Sequence, residues 1–118
     1  MCEQARVERA EHDDVVILRA IGEFDMACID TLRTAFGGAL VDHQHVVLDL
    51  SGTTFLDSTG LSAIVAARKQ ATESGGWLRV ANPRPNVQKL LAITALDDYL
   101  GVHATVSDAL IAGTGADA

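Results

Sequence analysis

Positive charge is scarce in this sequence. Nine lysine and arginine residues stand against sixteen acids, for a formal net charge of -7. That balance argues against nonspecific nucleic-acid binding, which needs cations to neutralise phosphates. It disfavours anionic membrane surfaces for the same reason. Long apolar runs are missing as well, and none approaches the roughly 20 residues of a membrane span. The opening stretch MCEQARVERAEHDD is charged throughout, unlike a signal peptide. Two cysteines, Cys2 and Cys28, are too few and too far apart for a disulfide framework or a zinc ribbon. Cys28 reads as plain core on the apolar face of a helix. The expectation is a cytoplasmic protein with reduced thiols.

What is present suits one globular domain over residues 1–118, with its core at about 6–112. The chain has 118 residues, 48% of them hydrophobic and 21% charged, enough for a single modest core. RVERA and VVILRAI are short β-type runs separated by the polar EHDD, which reads as an opening hairpin. GEFD follows as a turn. From Met26 to about Leu40 apolar residues recur at helical spacing, among them Cys28, Leu32, Ala35, Phe36 and Leu40. HVVLDL is almost wholly apolar, as a central strand covered on both faces should be.

A second helix is expected over about Ser58 to Glu73, with Leu61, Ile64, Val65 and Arg68 along one side. ESGG ends it with glycines suited to a left-handed residue. WLRVA is a further strand, and NPRPN fits a helix entry because proline tolerates the first turn. A weak strand near Val102 to Thr105 and a short helix from Ser107 complete the order β-β-α-β-α-β-α-β-α. Strands alternating with helices imply an α/β domain with a mixed, mainly parallel central sheet covered by about four helices.

Chemistry in such a domain concentrates where a strand gives way to a helix at the carboxyl edge of the sheet. VVLDLSGTTFLDSTGLSAIVAARKQ places Asp57, Ser58, Thr59 and Gly60 at that junction. Helix capping explains one of the polar residues, since an N-cap oxygen accepting a free amide is worth about 0.5–2 kcal/mol. Capping does not explain three polar residues in a row, so a functional hydroxyl stays open beside it. A phosphate on Ser58 would bring about -1.5 to -2 charges to amides that lack an intrahelical partner. The fold would survive that modification, whereas a partner docked over the helix end would have to desolvate a dianion beside Asp57.

With these residues in view, VVLDLSGTTFLDSTGLSAIVAARKQA closely resembles the signature of STAS domains in bacterial anti-sigma factor antagonists. The signature is a hydrophobic strand ending in Asp-Leu-Ser, a spacer, then a hydrophobe and Asp-Ser-Thr/Ser-Gly-Leu. GEFD resembles the family's Gly-Glu-Leu-Asp, with Phe24 for the usual leucine. GGWLRVANPRPNVQKLLAITALDDYL is similar to the following strand and helix, with Ala95 where many members have glycine. The resemblance covers roughly Val15 to Leu110.

The resemblance implies a partner-switching protein. Its unphosphorylated form would bind an anti-sigma factor with serine-kinase activity and so free a sigma factor. Phosphorylation at Ser58 would end that binding, and a serine phosphatase would reverse it. By the same resemblance Asp25, Asp57, Ser58, Thr59 and Gly60 belong to the partner-binding surface, with Thr59 the secondary phosphoacceptor. For Asp25, an N-cap of the helix at Met26 remains the alternative role. No metal, cofactor, nucleic acid or membrane is implied, and a small acidic domain of this type is expected to be monomeric. The alternative within the family is a STAS binding subunit of a lipid-transport or stress-sensing complex, without a phospho-switch.

Other classes fit less well. A phosphoacceptor receiver domain needs an acidic pair after its first strand and a late lysine. Here Asp13 and Asp14 precede their strand, and no lysine follows Lys89. A serine hydrolase would carry a Gly-x-Ser-x-Gly elbow, and FLDSTGL lacks its first glycine. His43 and His45 offer two metal ligands where a tetrahedral site needs more, and they read as a loop and a strand start. No catalysis is expected beyond service as a kinase substrate.

Overall fold

The computed structural model describes residues 5–112. Its chain opens with strand β1 (Arg6–His12) and β2 (Val15–Phe24), an antiparallel hairpin as the polar EHDD turn implied. Asp13 makes the tight reversal with a positive φ of 55°, a conformation aspartate tolerates better than most residues. Then come α1 (Ile29–Asp42), β3 (His45–Asp49), β4 (Thr53–Leu56) and α2 (Ser58–Glu73). The chain continues through β5 (Trp77–Ala81), α3 (Pro85–Ile93), α4 (Leu96–Leu100), β6 (Val102–His103) and α5 (Val106–Ile111).

The sheet runs β1-β2-β3-β5-β6, and β4 pairs off this path with the far end of β2. All pairings beyond the hairpin are parallel. The fold is therefore the mixed, mainly parallel α/β sheet read from the pattern. Among the described residues it carries six strands and five helices, and none of those helices is long and apolar enough to cross a membrane.

Four elements depart from the sequence reading. GEF is strand rather than turn: β2 continues through Gly22 at φ 111° and ends at Phe24. The register against β4 shifts between Gly22 and Glu23, as an extra residue bends a strand at a bulge. β4 itself and the short α4 were not foreseen. Helix α1 begins at Ile29 rather than Met26, because the Asp25 carboxylate ties up Ala27 and Cys28 in a turn first.

Side-chain alternation along β2, β3 and β5 divides the core. Val16, Leu18, Ala20, Val46, Leu48, Leu78 and Val80 face the layer of α1 to α4. Val15, Val47, Trp77 and Ala81 face the other way, under α5. Burying both faces of β3 and β5 accounts for their nearly continuous apolar sequence.

Arg79 is the exception within that run. It is 1% exposed, its guanidinium lies 3.6 Å over the Trp77 ring, and it donates to the carbonyls of Ala109 (2.7 Å) and Ala112 (3.1 Å). Unsatisfied carbonyls at a helix C-terminus carry partial negative charge. The buried cation thus satisfies the end of α5 and fixes that helix to the sheet.

Candidate functional site

β2 and β4 lie side by side and end together, with Glu23 opposite Phe55 and Phe24 opposite Leu56. The next residue of each strand is an aspartate. Parallel pairing therefore brings Asp25 and Asp57 to the same carboxyl edge although 31 residues separate them. The strand ends are stitched there: Asp57 N–H donates to the Phe24 carbonyl at 3.4 Å. One carboxylate oxygen of Asp57, Oδ2, accepts from Met26 N–H at 3.2 Å, and Oδ1 accepts from Gly60 N–H at 3.0 Å. Asp25 Oδ1 accepts from the N–H groups of Ala27 (3.0 Å) and Cys28 (3.2 Å). Each acid thus organises its own turn, and Asp57 also bridges the two.

This arrangement separates the polar residues of the junction by task. Asp57 is the N-cap of α2, in extended conformation with its side chain on Gly60 N–H. Ser58 is the first helical residue, exposed, and its hydroxyl makes no hydrogen bond among the described residues. Thr59 is half-buried. Gly60 is buried, and a Cβ there would lie 2.8 Å from the Phe24 carbonyl oxygen and 2.5 Å from Leu56 Cδ1. The close approach that glycine permits is therefore the seating of α2 on the ends of β2 and β4.

Around Ser58 the surface is apolar. Met26, whose N–H is tied to Asp57, is 74% exposed. A groove of about 430 Å³ runs from Ser58 to Lys69 between α2 and α4, floored by Leu61, Val65 and Leu96. On its α4 side Arg68 reaches across to Tyr99, its guanidinium 4.1 Å from the ring centroid. A second groove, of about 460 Å³, separates α2 from α1 and is lined by Arg33, Phe36 and Gly37 opposite Ala63 and Ala67.

The Met26 tie and the contribution of α4 were invisible in the sequence. No local spacing links residue 26 to residue 57, and only the β2–β4 pairing creates that contact.

The remaining candidates lie apart from this edge. His43 closes the C-terminus of α1 and His45 starts β3, the loop and strand-start positions expected of them. Among the described residues no group of three or more His, Cys, Asp or Glu side chains is placed to hold a metal ion. Cys28 packs half-buried against the core, but it precedes α1 instead of lying on it, and it is disulfide-bonded. That corrects the expectation of a reduced thiol at this position; Cys2 lies outside the described residues.

A family model described as STAS domain matches residues 6–109. The anti-sigma F factor antagonist of Paenibacillus polymyxa is 31% identical over 107 residues, covering 89% of this chain and 92% of that protein. The anti-sigma-F factor antagonist RsfB of Mycobacterium tuberculosis is 29% identical over 102 residues, covering 86% of this chain and 83% of its own. The crystal structure of an anti-sigma factor antagonist from Mycobacterium paratuberculosis superposes with a TM-score of 0.85 at 28% identity, covering 95% of this chain and 96% of that one.

Proposed function

Because the chain belongs to the STAS domain family, we propose that it is an anti-sigma factor antagonist switched by phosphorylation at Ser58. In the unphosphorylated form it binds an anti-sigma factor that is also a serine kinase, and so frees a sigma factor in the cytoplasm. Phosphorylation by that kinase ends the binding, a serine phosphatase restores it, and the chain itself catalyses nothing. The names of its relatives support the first half of this reading. The second half rests on one observation: Ser58 is exposed at the start of α2 and its hydroxyl makes no hydrogen bond among the described residues, while Asp57 does the capping.

The physical consequence of that division is a change of charge without a change of fold. A phosphoserine adds about -1.5 to -2 charges and three acceptor oxygens. At the first helical position it meets free amides and the positive end of the helix dipole, worth roughly 0.3–1 kcal/mol in its favour. No hydrogen bond within the described fold has to break. A partner lying over Met26 and the α2–α4 groove, in contrast, would have to strip water from a dianion next to Asp57, at a cost of several kcal/mol. Since about 1.4 kcal/mol is tenfold in affinity, that suffices to release it.

Incubation with the anti-sigma factor kinase and ATP, followed by peptide mass analysis, tests the assignment. The expected result is one phosphate on Ser58, abolished in Ser58→Ala, which keeps its affinity for the partner, whereas Ser58→Asp loses affinity. A phosphate on another residue with Ser58 unmodified refutes it.

A further inference from the structure

We infer that the exposed ridge of α2 is a seat for one amphipathic helix of the anti-sigma factor, lying antiparallel to α2 with a first-turn carboxylate at Lys69. The inference rests on the reading above, and extends it from the helix start to the whole helix.

The shape comes first. Ser62 and Ala66 are exposed along α2 and form a low ridge of small side chains. The two grooves run along its sides, one toward α4 and one toward α1. A ridge of small residues between two grooves is what ridges-into-grooves packing asks of a helix that receives another. The α1 wall is low as well, since Gly37 is exposed and a Cβ there would meet nothing within 4 Å. From Ser58 to Lys69 the seat is twelve residues long, about 16 Å at a rise of 1.5 Å per residue, so about three turns of the incoming helix fit. Its side chains at i, i+3 or i+4 and i+7 would fill the apolar groove floored by Leu61, Val65 and Leu96.

Charge then fixes the direction. The Ser58 end carries two acids, Asp25 and Asp57, while the far end carries Arg68 and Lys69. Arg68 is occupied by the Tyr99 ring. Lys69 is exposed and forms no ion pair among the described residues. In a chain of net charge -7, an unpaired cation at the mouth of an apolar groove is a selective contact for an acid. Helices favour acids in their first turn and cations in their last. A helix with that ordinary distribution sets its acid on Lys69 and its cationic end over Asp57 and Asp25 only when it runs antiparallel to α2. The Ser58 phosphate would then sit under the last turn of the bound helix, which would have to strip water from the dianion to stay seated.

Binding of the cognate anti-sigma factor, measured by fluorescence anisotropy for wild type, Ala66→Tyr, Lys69→Glu and Ser58→Asp, tests both layers. Both new substitutions are at exposed positions, and unchanged thermal unfolding confirms that the scaffold is intact. Ala66→Tyr raises the ridge and is expected to weaken binding at least about tenfold. Lys69→Glu is expected to weaken it about fivefold, with recovery when the facing first-turn acid of the partner is changed to lysine. If Ala66→Tyr and Lys69→Glu bind within twofold of wild type while Ser58→Asp is weakened, the helix seat is wrong and the switch stands. If the two groove variants are weakened and Ser58→Asp is not, the seat stands and the switch is wrong. A wild-type chain that binds no anti-sigma factor overturns both.

Discussion

Asp57 is the residue on which the structural and functional readings make separable demands, so its replacement is the most informative perturbation. Its carboxylate accepts two backbone bonds, one from Gly60 N–H at the start of α2 and one from Met26 N–H beyond the end of β2. Losing the cap costs about 1 kcal/mol by analogy with other N-cap truncations. Losing the Met26 tie costs about 0.5–1 kcal/mol, because Met26 is exposed and water replaces the acceptor. Asp57→Ala should therefore destabilise by about 1.5–2 kcal/mol, near 6–8 °C in melting temperature for a chain of this size. Asp57→Asn keeps the acceptor for Gly60 but presents an amide nitrogen to the Met26 donor, so it should lose only the second increment, about 0.5–1 kcal/mol. Thermal and urea unfolding followed by circular dichroism gives both numbers. An alanine variant within about 0.5 kcal/mol of wild type, or an asparagine variant as damaged as alanine, refutes the bracket described here.

Two further substitutions probe the same neighbourhood. Ala95 opens α4 in the left-handed region at φ 59°, with an exposed side chain. A Cβ costs about 1–2 kcal/mol in that conformation, and glycine's greater unfolded freedom offsets about 0.4–1 kcal/mol of any relief. Ala95→Gly should thus stabilise by about 0.5–1 kcal/mol in urea unfolding, and destabilisation would contradict the strain. Gly60→Ala sets a Cβ against the Phe24 carbonyl, which is backbone and cannot rotate away. Unfolding measurements should show a loss of about 1–3 kcal/mol, and a neutral result would mean that α2 is not seated as tightly as described.

How far the sequence foretold these features depended on range. Helix α2 and strand β5 are legible to the residue because their signals are local: an Asp at the cap, glycines at the exit, an unbroken apolar strand. The Ala95 position is legible only by resemblance, and the structure supplies its meaning, since alanine holds the conformation that glycine would adopt freely. Strand β4 was missed because only its first and last residues are buried, leaving Thr54 and Phe55 to look like spacer. The extension of β2 was missed because Gly22 reads as a turn until a neighbour pairs with it. Arg79 gave no warning either, as the carbonyls that hold it belong to a helix 30 residues later.

The junction also answers why its polar residues are consecutive. If the Ser58 oxygen were the cap, its phosphorylation would remove an acceptor from the helix start, and charge and fold would change together. With the cap assigned to Asp57, the hydroxyl one residue on is held in a fixed position by the helix yet owes it no bond. Gly60, two residues further, lets that helix start sit against the strand ends without slack. A rigid mount, a separate cap and a free hydroxyl are three requirements of a group that must change its charge while the surface around it keeps its shape. Asp57, Ser58 and Gly60 meet one each, so under the proposed phosphorylation of Ser58 moving the cap onto that residue should damage the switch even if the helix is retained.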